Sequence, residues 1–228
     1  MSAVKVFSIL ARRADRSSQY FHDHWRHPHA TMGLGIVGAR RYVQSHRIDT
    51  PLLDTAQSRY DGIVEIWFES LADAFRLQSD PVYRGKLVPD ESTFLDMSKG
   101  VSLMTTEEVL MSGATSRSDL PEADSGWHEH QRPVSIKLIQ LFSAPKETWA
   151  REDDVNLGGA VGALRHVRCF PVALAHPQGS ALSGIRELWW PTLTAFEEGV
   201  AQAKDAWKAM LGRATGTVSL LANAERFP

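Results

Sequence analysis

Two kinds of hydrophobic pattern alternate along the chain. Val4–Leu10 (VKVFSIL) has the apolar, β-branched content of a strand. From Ser17 onward the period lengthens to that of a helix. It gathers Phe21, Trp25, His29, Met32 and Ile36 on one side and turns His24 and His27 to the other. Ser17 or Ser18 supplies an N-cap, Pro28 predicts a kink near Arg26, and Gly33, Gly35 and Gly38 predict the stop. Arg40–Ile48 then alternates as a strand with Arg40, Tyr42, Gln44 and His46 on one face, and Tyr60–Phe68 is a further strand. Ser70 caps a helix containing Leu71, Ala74, Phe75 and Leu77, which Asp80-Pro81 ends. A short irregular stretch and a fourth strand, Gly100–Leu110, complete a β-α-β-β-α-β order, the ferredoxin-like arrangement of an α+β fold.

Residues 111–132 are polar, rich in Gly, Ser, Pro and Asp, and read as a linker. The pattern then begins again. Ile136–Phe142 echoes VKVFSIL, Gly162–Val167 echoes Gly38–Val43, and Ser183–Trp190 echoes Asp61–Phe68. Ala195-Phe196 and Val218–Leu221 repeat Ala74-Phe75 and Val101–Met104 in the same order. This predicts an internal duplication with units at 1–110 and 133–228. Lys5 to Gly38 spans 33 positions, whereas Lys137 to Gly162 spans 25. The shortfall falls on the histidine-rich helix, so the first unit is expected to hold the working site and the second to be a degenerate scaffold.

Composition narrows the function. A net charge of −2 gives no reason to expect nucleic acid or an anionic membrane as partner. No apolar run reaches the length of a membrane span. A single cysteine, Cys169, excludes an internal disulfide and a cysteine metal cage, and fits a reducing cytoplasm. His22, His24, His27 and His29 fall within eight positions, which invites a metal. On a helix, however, residues two apart point about 160° away from each other, and only His24 and His27 stand at i,i+3. No metal is expected. Gly33-x-Gly35-x-x-Gly38 spells a dinucleotide pattern but follows a helix and precedes a strand, the wrong way round.

The first unit resembles the EthD-type members of the dimeric α+β barrel superfamily. The features that carry the likeness are Trp25-x-x-x-His29, the Arg41–His46 strand, Asp61–Phe68 and a strand ending in Thr106-Glu107-Glu108. Residues 134–227 share it more faintly. The resemblance implies a fused pseudo-dimer: two ferredoxin-like units in one barrel, helices outside, and a small aromatic or polyketide-like ligand between sheet and helices. It leaves room for further pairing into a homodimer. The implied activity is that of a cofactor-independent lyase (dehydratase) or isomerase (cyclase). Alternatives are a haem-dependent or cofactor-free monooxygenase, and a ligand-binding accessory protein.

Within that expectation His29 is the acid or base, because imidazole titrates near neutrality; the other reading is a core histidine bonded to backbone. Tyr42 and His46 would orient or polarise an oxygen. Phe21, Trp25 and Met32 would wall the ligand, although helix–sheet packing is the better account of Phe21 and Met32. Gln44 would contact it, and Asp61 would lie at the mouth.

Overall fold

Alternation becomes pleat in eight antiparallel strands that close on themselves. The computed structural model describes residues 3–33, 36–112 and 134–227. The predicted linker from residue 113 on, and Gly35 of the glycine pattern, lie outside them. The first unit contributes β1 (Val4–Leu10), β2 (Ala39–Ile48), β3 (Gly62–Phe68) and β4 (Val101–Ser112). The second contributes β5 (Val134–Phe142), β6 (Arg165–Pro171), β7 (Gly184–Trp190) and β8 (Val218–Phe227). The order β1-β3-β2-β8-β5-β7-β6-β4 places the ferredoxin-like sets β4-β1-β3-β2 and β8-β5-β7-β6 side by side. Pairing of β2 with β8 and of β4 with β6 joins them into one barrel. Closure leaves no sheet edge exposed.

Odd positions of β1 point inward and even positions outward, so each face has its own chemistry. Phe7, Ile9, Ile63, Leu103, Ile139, Leu141, Val167 and Ile185 fill one end of the barrel interior. Above them four charged residues are fully buried. Lys5 contacts Glu65 at 2.8 Å and also pairs with Glu187. Lys137 contacts Glu65 at 2.7 Å and Glu187 at 3.0 Å. Burial alone would lower the Lys5 ammonium, but Glu187, Glu65 and Glu107 overrule it and raise its pKa. Lys5 repeats as Lys137 and Glu65 as Glu187 in the duplicated blocks. Each lysine therefore meets the carboxylate of the other unit as well as its own.

The helices lie outside. In the first unit α1 (Ser18–His24) starts where the Ser17 hydroxyl accepts from the Tyr20 N–H at 3.0 Å. A wide turn, Trp25–His29, leads into α2 (Ala30–Gly33). His27 leaves helical geometry (φ −149°, ψ 125°) because the residue before a proline is driven to extended backbone, which is the predicted kink. The Ser70 cap and α3 (Leu71–Arg76) follow β3 as expected. The stretch expected to be irregular is instead helical: the turn Tyr83–Leu87 runs into α4 (Val88–Phe94), with Pro89 in its first turn. In the second unit α5 (Lys146–Trp149) and α6 (Asp154–Ala160) lie between β5 and β6, and α7 (Leu193–Gln202) and α8 (Lys204–Leu211) between β7 and β8. No helix among the described residues is long and apolar enough to cross a membrane.

Two tryptophans seat the helical layer on the barrel in the same way. A Cβ added at Gly62 would stand 2.3 Å from the Trp25 ring, and one at Gly184 would stand 2.4 Å from the Trp149 ring. The second unit thus keeps a tryptophan in this seat despite its shorter helix segment. Its Lys146–Val161 stretch still holds no histidine. Because both rings are buried and cannot swing aside, Gly62→Ala is expected to destabilise the chain by about 1–3 kcal/mol, measured by urea unfolding. A loss below a few tenths would show that the ring relocates freely.

Candidate functional site

Between the outer face of β1–β4 and the helical layer lies a cleft with a cavity of about 110 Å³. Its walls are mostly apolar, with Val6, Val64, Ile66, Leu77, Leu87 and Met104 among them, and its polar groups are few: His29, Tyr42, Gln78, Tyr83, Glu91, Ser8 and Ser102. Small apolar sites with a few convergent polar groups bind small organic ligands. For scale, an engineered 150 Å³ apolar cavity takes up one benzene ring.

His29 is held from α4. Its Nδ1 donates to Asp90 Oδ2 at 2.7 Å, and the other oxygen of that carboxylate takes His24 Nε2 at 3.0 Å. Phe94, one turn along α4, packs edge-on to the His29 ring with centroids 5.1 Å apart. Burial lowers the His29 pKa, and Asp90 opposes that without cancelling it. The ring is therefore neutral near pH 7. With Nδ1–H committed to Asp90, the Nε2 lone pair is the basic atom, and no bond to it is made among the described residues. The carboxylate–imidazole pair fixes tautomer and orientation, as it does in hydrolytic triads.

Glu91, next to Asp90, also lines the cleft. Burial, reinforced by the Asp90 charge, raises its carboxyl to about 7. Tyr42 reaches the cleft from β2, and burial raises its phenol further above the ordinary tyrosine value. The cleft thus holds a neutral base, a carboxyl that keeps its proton to near neutrality, and a phenol that keeps its own.

The predicted residues divide. His29 and Tyr42 line the cleft together. Gln44 and His46 share Tyr42's face of β2, as the alternation predicts, but lie behind it: Gln44 Nε2 donates to Tyr42 Oη at 2.7 Å, and His46 Nε2 bonds Gln44 Oε1 at 3.0 Å. Neither lines the cavity, so His46 is not positioned to touch a ligand there. Phe21 and Trp25 are fully buried with Leu10, Phe94 and Leu95, making helix–sheet core instead of cleft wall. Met32 faces a surface groove with His27 and Pro28. Asp61 lies against Arg12 and Arg47, and its Oδ2 accepts from the Arg12 N–H at 2.9 Å, away from the cleft. Asp90, Glu91 and Tyr83 were not foreseen. The signal for them is the pair Asp90-Glu91 just after Pro89, with Leu87 and Phe94 spaced to face the sheet.

The second unit closes the equivalent space. Gln140 and Arg186 stand at the repeat positions of Ser8 and Val64. The Arg186 guanidinium is buried and donates to Gln140 Oε1 at 2.9 Å, the Trp149 carbonyl at 2.6 Å and Asp154 Oδ2 at 2.8 Å. His166, in Tyr42's place, is wedged against Gly158, where an added Cβ would lie 2.6 Å from its Nδ1. Burial lowers its pKa to about 3.

Neither a haem nor a metal fits these side chains. A tetrapyrrole is several times larger than a single aromatic ring and exceeds the first-unit cavity. Among the described residues the one cluster of three possible metal ligands is Glu107, Cys169 and Glu187. There the Lys5 ammonium already meets two of the three, Glu107 and Glu187.

Residues 13–98 match the EthD domain. A candidate monooxygenase from Fusobacterium nucleatum subsp. nucleatum superposes with a TM-score of 0.55 at 7% identity, over 99% of this chain and 92% of that one. A candidate chlorite dismutase superposes with a TM-score of 0.51 at 7% identity, over 100% and 96% of the two chains. No curated protein sequence matches the chain. At such identities the superpositions establish the shared barrel fold, and the EthD match covers the part of the first unit that carries α1 to α4.

Proposed function

From an EthD domain at residues 13–98 whose cleft holds a carboxylate-bound histidine, we propose that this chain is a lyase (dehydratase) or isomerase. It would act by acid–base chemistry on a small hydroxylated compound of about one ring. The observation that carries the reading is the 2.7 Å Asp90–His29 bond beside Glu91 in an apolar cleft. In a dehydration His29 Nε2 takes a proton from a carbon next to a carbonyl. The electron pair forms the double bond, and the leaving hydroxyl departs as water with the Glu91 proton. Return of the proton from His29 to Glu91 restores both groups. In an isomerisation the proton goes back to a different carbon, and no water is lost. Paired groups with pKa values set apart by their surroundings serve this chemistry. The phenol of Tyr42 stabilises the oxygen on which charge develops.

Single-ring hydroxy and carbonyl compounds, incubated with the chain and followed by mass, test this. Loss of water, or unchanged mass with altered retention, is the expected result. A second reading, oxygenation like that named for the Fusobacterium relative, predicts gain of one oxygen atom. Binding without turnover of any compound would overturn both and leave a ligand carrier.

Glu91 carries its own prediction. Its folded pKa of about 7 lies above the ordinary carboxyl value, so the folded chain binds this proton more tightly than the unfolded one. The contribution is full below the unfolded pKa and is lost as pH rises through about 7. Glu91→Gln should therefore flatten the fall in stability between about pH 4.5 and 7, measured by urea midpoints. Identical slopes in both proteins would refute the assignment.

A further inference from the structure

Behind Tyr42 three hydrogen bonds run in series from a half-buried histidine to the cleft. His22 Nδ1 lies 2.9 Å from His46 Nδ1, His46 Nε2 lies 3.0 Å from Gln44 Oε1, and Gln44 Nε2 lies 2.7 Å from Tyr42 Oη. Histidine tautomers and amide orientations are usually matters of assignment. Here one backbone atom decides them all.

Gln44 Nε2 is also 2.9 Å from the Trp25 carbonyl oxygen, a group that can only accept. That end of the amide is therefore the NH₂ end. Its two hydrogens are spent on the Trp25 carbonyl and on Tyr42 Oη. The other amide atom is a carbonyl oxygen and only accepts, so His46 Nε2 must carry hydrogen. A neutral imidazole carries one such hydrogen, which leaves His46 Nδ1 bare. His22 Nδ1 must then donate to it. At the far end, the Tyr42 oxygen accepts from Gln44, and an amide nitrogen offers no lone pair in return. The phenol's hydrogen cannot point back along the chain and is left for the cleft.

The surroundings keep this polarity across pH. His46 is faced by Arg26, by His22 and by Glu225, whose oxygen comes within 3.9 Å of Nε2. Glu225 is engaged by Arg26 through two bonds of 2.7 Å, and a carboxylate near Nε2 favours hydrogen on that nitrogen. Burial, with Arg26 and His22 adding to it, lowers the His46 pKa to about 2. Burial also lowers His22, with Asp61 and Asp23 opposing and Arg26 and Arg47 assisting. Should His22 take up a proton, it does so at Nε2, and the Nδ1 donor remains.

We propose that Gln44, braced by His46 and His22, is a positioning residue that locks Tyr42 as a one-way hydrogen-bond donor into the cleft. The ligand must then present an acceptor oxygen there, such as a carbonyl, an ester or an oxyanion. This rests on the reading of the cleft as a ligand site and adds to it the polarity of one contact. The series orients and does not conduct, because the amide at its centre has no proton to pass on near neutral pH. A ligand offering only an O–H or N–H donor at this point would face a second donor and be rejected.

Nitrogen NMR of the full chain with ¹⁵N-labelled histidine reads the polarity directly, without any ligand. The expected result is a neutral Nε2–H tautomer for His46 that does not titrate between about pH 5 and 8, with an Nδ1–H signal for His22. The Nδ1–H tautomer at His46, or titration of His46 in that window, would overturn the proposal. Acetophenone labelled at its carbonyl carbon reads the other end. Bound to the wild-type chain it should show the downfield shift of a hydrogen-bonded carbonyl, and Tyr42→Phe should abolish that shift. Gln44→Met, which keeps the side-chain length, should reduce the shift and scramble the His46 tautomer while the phenol is still present. An unshifted bound carbonyl in the wild-type chain would overturn the donor role. Failure of acetophenone to bind would count against the cleft as ligand site, and the tautomers would still decide the polarity of the series.

Discussion

Lys137→Met is expected to lower the free energy of unfolding by about 3–5 kcal/mol, read from urea titration of the full chain. The mutation leaves Glu65 and Glu187 in the barrel interior with Lys5 as the one lysine paired to two buried carboxylates among the described residues. Burial raises Glu65, and the two lysines, Lys137 more than Lys5, pull it back; without Lys137 the Glu65 carboxyl should rise further. Removing both members of one pair, as in Lys137→Met with Glu187→Gln, should recover much of the loss, since an uncompensated charge costs more than an absent pair. A single-mutant loss below about 1 kcal/mol would mean that water already reaches the cluster. The cluster is not an argument for unusual stability. Its effect is selectivity: each lysine reaches a carboxylate from both units, so a slip of either set of strands by one residue would turn a charge to the wrong face.

His29→Ala is expected to cut turnover about 10²–10⁴-fold on any substrate the screen identifies, the usual weight of a general base. Asp90→Asn should cost less and leave a signature of its own. Burial lowers His29 and Asp90 raises it, so removing the carboxylate's charge should lower the imidazole further. The acid limb of the pH–rate profile then moves to lower pH while the plateau falls. The wild-type profile should be bell-shaped and narrow, with His29 needed bare on the acid side and Glu91 needed protonated up to about pH 7. An unshifted acid limb in Asp90→Asn would separate His29 from that limb, and full activity in His29→Ala would end the acid–base reading.

The strands, the duplication and the His29–Tyr42 pairing were legible because they rest on periodicity, which survives in a single sequence. Val4–Leu10 and Ile136–Phe142 even carry the buried lysines at matching positions. What periodicity could not do was divide one apolar helix face between two tasks. Phe21, Trp25 and His29 share a face, yet the first two meet Leu10 and Phe94 in the core and only His29 reaches the cavity. The helical segment that supplies Tyr83, Asp90 and Glu91 was hidden because Pro81, Gly85 and Pro89 read as breakers. Its helicity is imposed by packing of Leu87 and Phe94, a tertiary effect that local propensity does not encode. Trp149 was missed for a related reason: it sits at a different spacing from its strand than Trp25, and only its seat on Gly184 identifies it.

The two barrel halves belong to one polypeptide, and that alters how the protein can change over generations. In a barrel made from two identical chains every codon is read twice, so an arginine that plugs one cleft plugs both. Here the Arg186–Asp154 plug occupies one side while Val64 keeps the other side open. One half is free to drift toward a sealed, rigid buttress, and the other can explore new ligands without the mirror image of each trial being built opposite it.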